Sequence, residues 1–126
     1  MKQHNKILLA LAVFTLIAVT IACSTSSGTS SMAGKWLDPD TTGTITTIEA
    51  QGSGYAVVSV INPDPTRNEN ELTQTSWSNG VLTWTYCIPG GNCITSKTVS
   101  VSSNNLDTTW TSDNGGSGTT TFQRQP

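Results

Sequence analysis

Apolar and polar positions divide the chain into two unlike stretches. From Ile7 to Ala22 run sixteen uncharged, largely apolar residues. From Gly34 onward the pattern becomes an alternation of period two, which marks half-buried strands. It is clearest in "TSWSNGVLTWTY", residues 75–86. Asn79 and Gly80 both tolerate positive φ, so this stretch predicts a hairpin closed by a type I′ turn. A two-residue turn sets Trp77 opposite Leu82, Thr75 opposite Trp84 and Thr73 opposite Tyr86. Trp77, Leu82, Trp84 and Tyr86 then share one face, while Thr, Ser and Gln occupy the other with Val81. Turn and alternation specify the same register.

Further strands are expected at 43–50, 54–61, 71–77 and 119–124, with 62–70 as a connecting loop. Residues 55–61 are apolar on both faces: Ala56, Val58 and Val60 on one, Tyr55, Val57 and Ile61 on the other. A second hairpin is expected in "TVSVSSNNLDTTW", turning at Asn104 and Asn105, with Val99, Val101, Leu106, Thr108 and Trp110 on one face. Between the two hairpins, "CIPGGNC" sets Cys87 opposite Cys93 on the side away from Trp84. Strict alternation from there would carry Val99 to the outside, so a β-bulge is expected between Ser96 and Thr98. Turn signals recur roughly every 8 to 12 residues, and no helical periodicity follows residue 33. The expected class is all-β: an antiparallel up-and-down meander of seven to eight strands forming a small barrel, with a rolled sandwich as the alternative.

The apolar stretch 7–22 follows Lys2 and Lys6 and is shorter than the roughly 20 residues that span a bilayer as a helix. With small Ala22 at its end it reads as a signal peptide, residues 1–22. "TIAC", Thr20 to Cys23, resembles a bacterial lipobox, with Thr20 where that family usually has Leu. The resemblance implies cleavage before Cys23, lipid on that cysteine and attachment to a membrane. Ser24 after the cysteine resembles the sorting signal for the outer membrane. Membrane anchoring would then rest on acyl chains, at about 0.8 kcal/mol per buried CH₂. With Cys23 lipidated, Cys87 and Cys93 remain as an even pair in an oxidising compartment. A disulfide across so short a loop adds roughly 2 to 2.5 kcal/mol in the chain-entropy model. Residues 23–33 form a Ser/Thr/Gly linker, and residues 34–126 form the folded domain.

Both ends of that domain carry a further resemblance. "GKW", Gly34 to Trp36, opens it, and Arg124 lies on its last strand. This looks like the lipocalin (calycin) pattern, in which Gly-x-Trp begins the first strand and a closing-strand Arg packs over the Trp. The resemblance implies a fold-closing pair, Trp36 with Arg124.

Charge and chemistry narrow the function. Past Ala22 four basic residues, Lys35, Arg67, Lys97 and Arg124, face eight carboxylates, a formal charge of −4. No basic patch answers a phosphate backbone, so no nucleic-acid partner is expected. The one histidine, His4, lies in the leader, and two free cysteines fall short of a zinc site. "DPDTTGTITTIE", residues 38–49, has nearly the spacing of an EF-hand loop. Neither flank is helical, however, and a strand over 43–50 would hold Glu49 about 20 Å or more from Asp40. The stretch reads as a turn, so neither a metal nor a cofactor is expected. Scattered carboxylates without a histidine or a free thiol nominate no catalytic group, and the expectation is not an enzyme. Trp77, Trp84, Tyr86 and Trp110 are candidates to line a pocket for a small apolar ligand. The alternative is that they fill the barrel of a purely structural or interaction lipoprotein that contacts protein or polysaccharide. One prediction belongs to the leader: cells labelled with a palmitate analogue should mark the wild-type chain and leave Cys23→Ala unlabelled. Equal labelling of the two would remove the lipid anchor.

Overall fold

The structure, a computed structural model, describes residues 30–40, 43–62, 66 and 70–126. The signal segment, Cys23 and the linker as far as residue 29 lie outside the described residues. Eight strands make up the fold, with no helix among the described residues. They are β1 (Gly34–Leu37), β2 (Ile45–Gln51), β3 (Gly54–Ile61), β4 (Glu71–Ser78), β5 (Val81–Cys87), β6 (Cys93–Val101), β7 (Asn105–Ser112) and β8 (Ser117–Arg124). All pairings are antiparallel, and the order β3-β2-β1-β8-β7-β6-β5-β4 rolls into a nearly closed barrel.

The register follows from the turn residues. Asn79 and Gly80 have φ of 51° and 78°, and Ser78, Trp77 and Thr75 pair with Val81, Leu82 and Trp84. Beyond Gln74 the ladder slips, so Leu72, and not Thr73, stands opposite Tyr86. That slip turns an apolar side chain inward, where a continuous alternation would have turned in Thr73. Leu72 accordingly packs against the core.

Two more bulges correct the simple alternation. In β6 the ladder to β7 shifts between Thr98 and Ser100, which leaves Val99 66% exposed. The bulge falls just past the expected span, so Ser96 and Thr98 point inward, Val99 does not, and Val101 rejoins the inner side with Leu106. The turn itself is Ser103-Asn104, held by Ser102 N–H donating to Asn105 O at 2.8 Å. In β3 the shift opposite Thr47 and Ile48 skips Val58. Val57 and Val60 are therefore both buried, whereas Val58 and Ile61 are about half exposed. Neither of the two faces expected for residues 55–61 survives intact, because one bulge moves each inward set across the strand.

Inside the barrel, Trp36, Leu82, Trp84 and Leu106 are fully buried, with Ile48, Val57, Val60 and Phe122 around them. Trp84 meets Phe122 edge to face at 6.1 Å. Large rings supply core volume to a chain with few Leu and Ile, since each aromatic removes on the order of 150–250 Å² from water. Between them lies a polar set: Thr46, Ser96, Thr98, Thr108 and Thr120, all buried. Thr suits a strand sterically, and its hydroxyl finds partners here. Thr108 Oγ1 donates to Thr120 O at 3.2 Å, and Thr98 Oγ1 accepts from Leu82 N–H at 3.0 Å.

The termini close the barrel. Trp36 pairs with Arg124 across β1 and β8, and the guanidinium carbon lies 4.2 Å from the Trp36 ring centre. The Arg124 fork donates to Ser103 O (2.6 Å), Ala33 O (2.7 Å) and Ser31 O (2.5 Å). The Trp36 indole N–H donates to Met32 O at 2.8 Å, and Met32 is buried. Packing thus begins at Met32, two residues before the expected start of the domain. The remaining seam, between β3 and β4, has side chains in place of a ladder. Thr75 Oγ1 accepts from Val57 N–H at 3.0 Å, and Tyr55 meets Trp77 edge to face at 5.3 Å. The Trp77 indole covers Gly54 so closely that any side chain there would collide with it.

The Arg124 contacts lead to a stability prediction. Removing three charge-assisted bonds to carbonyls and the ring contact should cost Arg124→Ala roughly 2 to 4 kcal/mol in urea unfolding. Arg124→Lys should recover less than half of that loss, because a single ammonium cannot reach three carbonyls. Full recovery would show that charge alone suffices.

Candidate ligand cavity

The barrel has two unlike ends. At one, Arg124 and residues 31–33 cap the interior. The other gathers the end of β1, the Cys87–Cys93 hairpin and the start of β8, and it holds a cavity of about 170 Å³. Its wall combines Tyr86, Ile94, Ser96, Trp110 and Phe122 with the hydroxyl-bearing Thr108 and Thr120. Asp38 and Asp40 come in from the β1–β2 connection.

Local chemistry explains each placement. Cys87 and Cys93 are bonded, with their Cα atoms 4.0 Å apart. The bond pins the end of the β5–β6 ladder and so sets Tyr86 opposite Ile94 on the inner side. Ser96 faces Trp84 on β5 and Trp110 on β7. A small side chain between two indoles leaves space that a Leu would fill. Trp110 in turn pairs with Gly118, where a Cβ would come within 2.8 Å of the indole. The glycine lets the ring lie down against β8.

Asp38 and Asp40, the first two acidic positions of the calcium-like spacing, form a turn. Asp38 Oδ1 accepts from Asp40 N–H at 2.9 Å, Asp38 N–H donates to Thr44 O at 2.8 Å, and Gly43 has φ of 80°. Glu49 is exposed on β2. The turn delivers the Asp38 side chain, only 6% exposed, to the cavity rim.

Burial, followed by the nearby Asp38 charge, pushes the Tyr86 phenol up to about 12 from its usual 10. Both causes oppose a phenolate, so Tyr86 presents a neutral hydroxyl across the neutral range.

Of the four aromatics expected to line a pocket, the cavity brings together Tyr86 and Trp110. Trp84 is sealed in the core, where its indole N–H meets no acceptor among the described residues. Trp77 lies half-buried at the β3–β4 seam. Sequence reading missed Asp38, Asp40, Ile94, Ser96, Thr108, Thr120 and Phe122. The signal for Ser96 was there once the bulge is placed at Val99, because Ser96 then alternates inward beside Trp110, and Thr108 already shared the expected face of Trp110. Among the described residues no three His, Cys, Asp or Glu side chains gather as a metal-binding group would.

Fold and cavity together define a small antiparallel β-barrel open at one end, an architecture compatible with a lipocalin-like fold. Compared with known proteins, the chain matches no family model, no curated protein and no solved structure.

The Tyr86 environment predicts a pH dependence. Between pH 10 and about 12 the folded chain keeps a phenol proton that the unfolded chain has released. The folded state binds more protons there, so stability falls as pH rises through that window. The loss attributable to Tyr86 should be on the order of 2 to 3 kcal/mol. Unfolding measured across the window should show a flatter slope for Tyr86→Phe than for wild type; an equal slope would place Tyr86 in water.

Proposed function

We propose that the chain is a lipid-anchored extracytoplasmic lipoprotein of the cell envelope, held at the outer membrane, whose barrel carries a small apolar ligand at one end. The cavity carries this reading. At about 170 Å³ it is on the scale of the roughly 150 Å³ protein cavity that accepts benzene. A wall of rings and aliphatic groups with a few polar atoms is the usual composition of a small-molecule site. Such an occupant is one ring or a short chain, well below a fatty acid or a porphyrin.

Three features support the address. "TIAC" resembles a lipobox at Cys23. The Cys87–Cys93 disulfide is typical of an oxidising compartment. The geometry also fits a tether: the chain leaves the barrel at the Met32–Gly34 end, and β1 runs from there to Asp38 at the cavity. An anchor at Cys23 would hold the cavity pole away from the bilayer, where it exchanges ligand with water. The filled-barrel alternative, in which the aromatics serve only as core, fits Trp84 and Trp77 but not the space beside Trp110.

Toluene is a suitable probe for the full chain. Wild type should bind it with a change in tryptophan emission. Ser96→Phe, which fills the cavity at an overpacking cost of about 1 to 3 kcal/mol, should lose that binding while keeping its far-ultraviolet circular dichroism. Equal binding by the variant would end the carrier reading, as would wild type that binds neither toluene nor another single-ring probe of its size.

A further inference from the structure

Charge is distributed unevenly between the two poles of the barrel. Asp38 and Asp40 line the cavity. Two more carboxylates belong to the same end: Glu71 starts β4 opposite Cys87, and Asp113 follows β7, its N–H donating to Cys93 O at 3.1 Å. Among the described residues, none that lines the cavity is Lys or Arg. The described cations lie elsewhere. Lys35 is near the start of β1, Lys97 is on the outer side of β6, and Arg124 is committed to carbonyls at the opposite pole. A mouth lined with one sign of charge above an apolar wall concentrates the opposite sign.

We propose that the cavity selects a small organic cation, a compact aromatic or alicyclic amine, with its ring against Trp110 and Phe122 and its ammonium toward Asp38 and Asp40. This rests on the carrier reading and adds a ligand class to it. Each part of the ligand answers a part of the wall. An ionised carboxylate only accepts hydrogen bonds, and an ammonium only donates them. The Trp110 and Tyr86 rings offer negative faces to a cation. Ser96 and the Tyr86 hydroxyl sit beside these groups on the inner wall and supply further acceptors. The volume holds one ring plus a short arm. A divalent metal would want six or more oxygen ligands, and two carboxylates do not provide that set.

The test compares three probes of one size on the full chain: benzylamine, benzyl alcohol and toluene, titrated at neutral pH and followed at the Trp110 indole N–H by NMR. Benzylamine should bind about tenfold or more tighter than benzyl alcohol, as expected for a charge-assisted bond in place of a neutral one. Asp38→Asn keeps the oxygen that accepts from Asp40 N–H, so its turn should persist. It should bring benzylamine close to benzyl alcohol and leave toluene unchanged. Asp40→Asn, at an exposed position, serves as a second variant should the first not fold, and should lower benzylamine affinity alone. If toluene and benzyl alcohol perturb Trp110 and benzylamine binds no tighter, the amine class is overturned and the carrier reading stands. If none of the three binds, both fall together.

Discussion

Arg124 is the residue on which the closed form of this barrel turns. It sits at the last position of the last strand, yet its side chain reaches three separated pieces of chain: the lead-in at Ser31 and Ala33, the β6–β7 turn at Ser103 and the ring of Trp36. A planar fork with donors on several edges suits that task. Its methylene stem and cation together cover an indole that would otherwise meet solvent. Arg124 thus caps the pole opposite the cavity.

Much of this architecture was legible in the sequence, for identifiable reasons. Asn79-Gly80 and the flanking alternation specify one register, and the structure has it as far as Gln74. The meander of seven to eight strands, the disulfide and a bulge in β6, expected slightly early, were likewise readable. What escaped reading was parity. A strand's inward face is set by counting in twos, and one skipped residue inverts everything beyond it. Skips at Thr73 and Val58 are invisible to alternation because each involves a β-branched residue that suits either face, and the skip in β6 falls at Val99, just past its expected place. Their effect is visible only where a neighbour strand gives the count from the other side, as Leu106 does for Val101.

The cavity was harder to read for a related reason. Trp77, Trp84, Tyr86 and Trp110 are equivalent in composition, and only the third dimension separates them. Trp84 faces Ser96 in mid-barrel and is enclosed by Phe122. Trp110 lies across Ser96 from it, against Gly118 of β8, and lines the cavity. Asp38 and Asp40 looked like failed calcium ligands, and the turn they form is what carries a carboxylate to the rim. A motif dismissed on the chemistry it resembled still contributed geometry. Interior threonines show the same economy: the hydroxyls of Thr98 and Thr108 bond across the sheet, so a polar residue type serves as core.

The position of the seam has a consequence for assembly. Six of the seven strand pairings join neighbours in the chain, and the exception is β1 with β8. The missing ladder is between β3 and β4, which are themselves consecutive. The barrel is therefore a circularly shifted meander of a three-strand and a five-strand block, with the entropy of long-range loop closure concentrated in one joint. Each block can zip by local contacts alone, and the step that joins them waits on the short overlap of Trp36 and Leu37 with Arg124 and Gln123. Joined head to tail and reopened at the seam, the same strands would follow one another around the wall in unbroken order.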